Sequence, residues 1–196
     1  TQQLMQQLLV QTQPQLLQAV TATTFGTSAA AYNIAINGGG TITNAATFSN
    51  TGTLTLAGTT TFTAGVTATA PSQVNIGGTV QSTNTAISIG DSDTPIVLTT
   101  NTIISGNTSG NITLGGTING AYTLDVNTTG TTTFSGVIGG STPLTSVTTN
   151  TGGTVAINTT AISTTGAQTF GENVTLGADV TLTSSSSGNI SFAGTI

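Results

Sequence analysis

The chain has 196 residues, 35% of them apolar, and carries five acids but no Lys, Arg, His, Cys or Trp, for a net charge of −5. A surface without cations has nothing to grip phosphate or anionic lipid, which argues against nucleic-acid and membrane-surface binding. The missing His and Cys remove the usual zinc, iron and copper ligands, the triads built on those residues and any disulfide, leaving packing and backbone hydrogen bonds to stabilise the fold.

Residues 1–20, TQQLMQQLLVQTQPQLLQAV, differ from everything after them. Leu4, Leu8, Leu9, Leu16 and Leu17 fall at spacings that place them on one helical side, and Gln, Leu and Met are good helix formers. The pattern predicts a short amphipathic helix, ended or kinked near Pro14. It would cap the rest of the molecule or dock into a neighbouring subunit. A helix lying on a membrane would be richer in Lys and Arg.

Residues 21–37 read as a transition into an alternating pattern. From residue 38 the chain consists of short runs such as Thr53-Leu54-Thr55-Leu56 and Gln73-Val74-Asn75-Ile76, separated by Gly-Gly, Asn-Gly and Ser-Gly. Alternation of apolar residues with Thr or Asn has the two-residue period of a strand buried on one side. β-Branched residues favour that state, and the glycine pairs punctuate it. In the second half, strands are expected over 111–114, 122–127, 131–135, 144–149, 154–158, 161–164, 173–176, 180–183 and 189–192. Phe134, Phe170 and Phe192 are expected in the core.

Asp91 and Asp93 are the only acids two residues apart, and they are the candidate metal ligands. Calcium needs several more oxygens than these two supply, so the turn between two strands is the favoured role. No pair of carboxylates is placed for glycoside hydrolysis, and there is no basic residue for lyase chemistry. Neither an enzyme nor a cofactor is expected. No stretch of about 18 apolar residues is present to span a membrane as a helix.

The chain repeats itself. SGNITLGGTI at 109–118 returns as SGNISFAGTI at 187–196, identical at seven of ten positions after 78 residues. Gly-Gly-Thr followed by Ile or Val recurs at 39–42, 77–80, 115–118 and 152–155, with a variant at 193–196. These steps of 38, 38, 37 and 41 residues read as two turns of a coil of about 19 residues. The expected fold is therefore all-β: a right-handed parallel β-helix of about 8 coils over 38–196, preceded by the short helix. No basic, apolar leader is visible and the repeat runs up to Ile196, so the expectation is a removed leader or an interior piece of a longer chain.

The runs DVNTTGTTTFSG at 125–136, PLTSVTT at 143–149, TTGAQTF at 164–170 and VTLGADVTLT at 174–183 resemble the strand repeats of large bacterial surface proteins. Those proteins are the filamentous-haemagglutinin-like and autotransporter-like adhesins. The resemblance covers roughly 110–196, is fainter over 38–101 and is absent from 1–20. It implies an exported parallel β-helix at the cell surface but no particular ligand. Such proteins usually carry some Lys and Arg, and this chain departs from them there. The function expected is a structural stalk or fibre protomer, outside a bacterial cell, that associates end to end into a homopolymer. The alternative is an adhesive module that binds surface glycans or ice through flat arrays of Thr.

Overall fold

Each alternating run has an apolar side to bury and backbone groups to pair, and no single run can do either alone. The chain meets both needs by returning to lie beside itself after one circuit. The computed structural model describes residues 15–196, which wind into a parallel β-solenoid of about eight turns without a helix. Every pairing between strands in this span is parallel. The lone antiparallel contact is the bridge Asp91–Thr94 inside a loop. At about 4.8 Å per coil the rod is roughly 40 Å long.

The cross-section has three faces. On the first, Gln15–Leu17 pairs with Ile34–Ile36, which pairs with the start of Thr53–Phe62, then of Gln73–Ser82, then of Ile96–Ser105. The second face begins with Val20–Ala22 and Gly40–Ile42 and takes the far halves of the same three long strands. It continues through Thr123–Asn127, Ser146–Thr149, Gln168–Phe170 and Ile190–Phe192. The third face is the seven-stranded sheet that runs from Ala46–Thr47 to Asn173–Leu176.

The inward residues of all three faces form one continuous core. Ile34, Leu54, Val74 and Ile96 stack on the first face, Ile42 on Phe62 and Val80 on Ile104 on the second, and Val66, Ile87 and Ile112 on the third, all buried. Phe48 meets Phe25 at 5.7 Å between ring centroids and Phe62 at 6.0 Å, the latter edge to face. Phe134 and Phe170 are fully buried as expected, and Phe170 stacks on the half-buried Phe192 at 5.1 Å. Such aromatic pairs contribute about 0.5–1.5 kcal/mol beyond their burial.

The expected strands of the second half are present within a residue or two of their predicted bounds. Two other expectations need correction. The helix expected over 1–20 is not formed in its described part. Gln15–Leu17 and Val20–Ala22 are strands, because each lies against a sheet edge whose free N–H and C=O groups outweigh the weak helical preference of Leu and Gln. Leu16 and Leu17 thus belong to a strand, while Leu4, Leu8 and Leu9 lie outside the described residues.

The coil length is the other correction. Ile34 pairs with Leu54 and Leu54 with Val74, steps of 20 residues (54 − 34, 74 − 54). Later steps differ: 22 from Val74 to Ile96, 25 from Ile87 to Ile112, 23 from Leu124 to Val147 and 19 from Val155 to Val174. The Gly-Gly-Thr echo is therefore not the period. Gly40 and Val80 are both level with Thr60 on the second face, whereas Ile118 lies on the first and Val155 on the third. Likewise, Ile112–Leu114 of the first decapeptide lies on the third face, and Ile190–Phe192 of the second lies on the second face. The recurring sequence encodes a strand with its corner, and one corner chemistry serves at different edges of the triangle.

Corners of 20-residue coils use glycine where the backbone must turn against its neighbour. Gly58 and Gly78 turn the long strands from the first face to the second with φ of 74° and 101°. A Cβ on Gly78 would lie 2.5 Å from the Gly58 carbonyl oxygen, so this corner accepts no side chain. In the next coil the register slips between Leu98 and Thr102, and Thr99 and Thr100 bulge outward to make the same turn.

The inward and outward positions of one strand should respond differently to truncation. Phe134→Ala removes a fully buried ring and is expected to cost about 3–5 kcal/mol. Thr133→Ala, on the outer side of the same strand, should stay within about 0.5 kcal/mol. Denaturant melts of the two variants test this, and equal losses would contradict the assigned facing.

Candidate functional site

The five acids are dispersed. Asp91 and Asp93 lie in the exposed loop between Ile87–Ile89 and Ile96–Ser105, where Asp91 Oδ1 accepts the Asp93 N–H at 3.0 Å. That is an aspartate turn, stapling its own backbone two residues on. The loop is anchored by the Thr94 hydroxyl, which lies 2.7 Å from the Thr69 carbonyl and 2.8 Å from that of Pro71. Among the described residues no three of His, Cys, Asp and Glu come together. Asp125 is half-buried on the outer side of its strand, and Asp179 is exposed.

Polar side chains do their most regular work at the corners. Asn33 Oδ1 accepts the N–H of Thr53 one coil on, at 2.8 Å. Asn111 does the same for Thr131 at 2.9 Å, and Asn119 for Ser141 at 2.9 Å and Thr142 at 3.1 Å. Asn173 receives both the N–H and the hydroxyl of Thr195, at 3.0 and 3.1 Å. At each corner the ladder of one face has ended and that of the next has not begun. The amide oxygen fills this gap for backbone donors that would otherwise lack a partner. Sequence reasoning missed these residues. For Asn33, Asn111 and Asn173 the signal is Asn placed directly before an inward Ile or Val, as in Asn33-Ile34-Ala35-Ile36 and Asn111-Ile112-Thr113-Leu114; Asn119, followed by Gly120, lacks it.

The outer sides carry files of hydroxyl groups. On the third face the register aligns Thr47, Thr67, Ser88, Thr113 and Thr133, breaks at Ala156 and resumes at Thr175. The adjoining outward file, two residues earlier in each strand, runs Ala45, Gly65, Ala86, Asn111, Thr131, Thr154 and Asn173. Only Thr131 and Thr154 join hydroxyls in it, 3.0 Å apart. The hydroxyl array is thus one file wide rather than a two-dimensional lattice.

Glu172 is the one acid removed from water. It turns the corner between Gln168–Phe170 and Asn173–Leu176, is only 3% exposed, and has no hydrogen-bond partner on either carboxyl oxygen. Burial raises its pKa from the ordinary glutamate range. The nearby Thr149 hydroxyl, which accepts the Gly171 N–H at 3.2 Å, offsets part of that rise. Beyond this corner the final coil carries exposed Leu176, Ile190 and Ile196. Thr181–Ser184 and Ile190–Phe192 are each paired on one side only.

No protein-family model, curated protein or solved structure matches the chain.

The corner asparagines carry a measurable share of the stability. Asn111→Ala leaves the Thr131 N–H to solvent and should cost about 1 kcal/mol, against less than about 0.5 kcal/mol for Thr113→Ala two residues on. A lower urea midpoint for the first variant with an unchanged slope is the expected reading. Equal midpoints would remove the stapling role.

Proposed function

We propose that the chain is a structural β-solenoid of a bacterial extracellular fibre or surface adhesin stalk, which associates end to end. The observation that carries this reading is the in-register stack of parallel coils, with hydroxyl and amide side chains on its outer files. With only five charged side chains among 196 residues, the surface puts up little charge repulsion between copies. Coils wound right-handed, as parallel crossovers nearly always are, would let one copy continue the helical path of the next. The absence of Lys and Arg leaves no site for trypsin-like proteases, which suits a protein outside the cell. In this reading the work is mechanical rather than catalytic, since no cation or carboxylate pair is available to handle protons or stabilise charge.

A second reading rests on the hydroxyl file of the third face, which fits an adhesive contact with surface glycans. The same file on ice would lack the second row that a lattice match needs. A glycan array probed with the intact chain and a Thr67→Leu/Thr113→Leu variant separates this reading from the first. Glycan binding lost in the variant favours it, and no binding by either protein removes it.

For the main reading, the expected result is concentration-dependent association in sedimentation velocity. Negative-stain images should show rods one solenoid wide, with lengths in multiples of roughly 40 Å. Monodisperse monomers at millimolar concentration would overturn it.

A further inference from the structure

Two Asn-Gly pairs occur in the sequence, Asn37-Gly38 and Asn119-Gly120. Each closes a strand of the first face, Ile34–Ile36 in one coil and Ile118–Asn119 in another. In such a pair the glycine nitrogen can attack the asparagine side-chain carbonyl carbon, because no Cβ on the second residue blocks its approach. The fold treats the two pairs oppositely.

Asn119 is half-buried, and its Oδ1 accepts the Ser141 N–H at 2.9 Å and the Thr142 N–H at 3.1 Å. The Gly120 N–H donates to the Thr142 carbonyl oxygen at 3.2 Å. The loop of the next coil thus holds both reacting groups, the carbonyl through two donors and the nitrogen through an acceptor. Asn37 and Gly38 are both exposed. Among the described residues neither the Asn37 side chain nor the Gly38 N–H has a hydrogen-bond partner. Register accounts for the difference. Asn37 follows Ile36 and so lies level with Ala57 and then Gly77 in the next two coils. Neither of those residues has a polar side chain, and both lie within the ladder that joins Thr53–Phe62 to Gln73–Ser82. Nothing there asks for the Asn37 amide, whereas Asn119 faces a loop whose N–H groups need an acceptor.

We propose that Asn37 is a site of spontaneous deamidation in the folded protein, with water as the co-reactant, and that the fold protects Asn119. Hydroxide removes the Gly38 amide proton, and the nitrogen forms a bond to Asn37 Cγ. The Cγ–Nδ2 bond then breaks, and the nitrogen takes a proton from water and leaves as ammonia. Water opens the resulting five-membered imide. Opening at one carbonyl gives aspartate at position 37. Opening at the other gives isoaspartate, in which the main chain runs through the former side chain. Nothing is oxidised or reduced. Either product adds a negative charge to the five already present. Isoaspartate also adds a main-chain carbon where there is little room for one. A Cβ on Gly38 would collide with the Gln18 carbonyl oxygen, and the next residue is tied by the Val20 N–H, which donates to Gly39 O at 2.9 Å.

The test is peptide mapping by mass spectrometry of the whole chain held at pH 8. Samples taken over time are digested with pepsin in acid, which halts further reaction and needs no Lys or Arg. In the folded chain, conversion at Asn37 should run at least tenfold faster than at Asn119. In urea concentrated enough to unfold the chain, the two rates should agree within threefold, because the hydrogen bonds around Asn119 are gone. A folded-state ratio below tenfold would overturn the proposal. So would a ratio above threefold in urea, since local sequence rather than the fold would then select the site.

Discussion

Parallel, in-register stacking governs this molecule, because it makes every residue the near neighbour of its counterparts one coil before and one coil after. Thr67 has Thr47 on one side and Ser88 on the other, and Leu54 has Ile34 and Val74. A side chain suited to one rung must therefore tolerate company of its own kind at about 4.8 Å. Branched aliphatics and Phe do so inward and hydroxyls and amides do so outward. A Lys or Glu repeated in such a file would place like charges at strand spacing. The charge-poor composition follows from this geometry, and Asp125 illustrates it: its file neighbours are Ile103 and Thr148.

Stacking leaves the corners unsolved, and there the chain uses two devices. Where the coil is 20 residues long, glycine lets the backbone pass close, as Gly58 and Gly78 do between the first and second faces. Where the ladder lapses, an asparagine oxygen takes the stranded N–H of the next coil, as at Asn33 and Asn173. Because corners are paired locally, an insertion can be absorbed in one loop without disturbing the faces. The aspartate turn at 91–94 lies within the 25-residue step from Ile87 to Ile112, yet Ile87–Ile89 and Ile112–Leu114 remain aligned residue for residue. This tolerance explains why coil length varies while the core stays continuous.

The same division decides what could be read in advance. Alternation at Ile112–Leu114 or Thr131–Phe134 is a local property of a strand, and it is plain in the sequence. Coil length is set by corners whose residue count drifts, so the best sequence repeat tracked a reusable strand and corner instead of the circuit. At Gln15–Leu17 the local pattern favours a helix, and only the waiting edge of Ile34–Ile36 makes it a strand; periodicity contains no term for that edge. The burial of Glu172 was equally invisible, since it belongs to a corner between two faces, where no alternating pattern says which way a side chain turns.

A solenoid without cations also responds to acid differently from most proteins. Acid usually unfolds a protein by protonating carboxylates that had been paired with cations and by building up positive charge. This chain has no cationic side chain, so lowering the pH breaks no side-chain ion pair and only carries the net charge from −5 toward zero. The loss of self-repulsion favours the compact coil stack, and the approach to zero charge favours contact between molecules. Folding and association are thereby pushed in the same direction by protons.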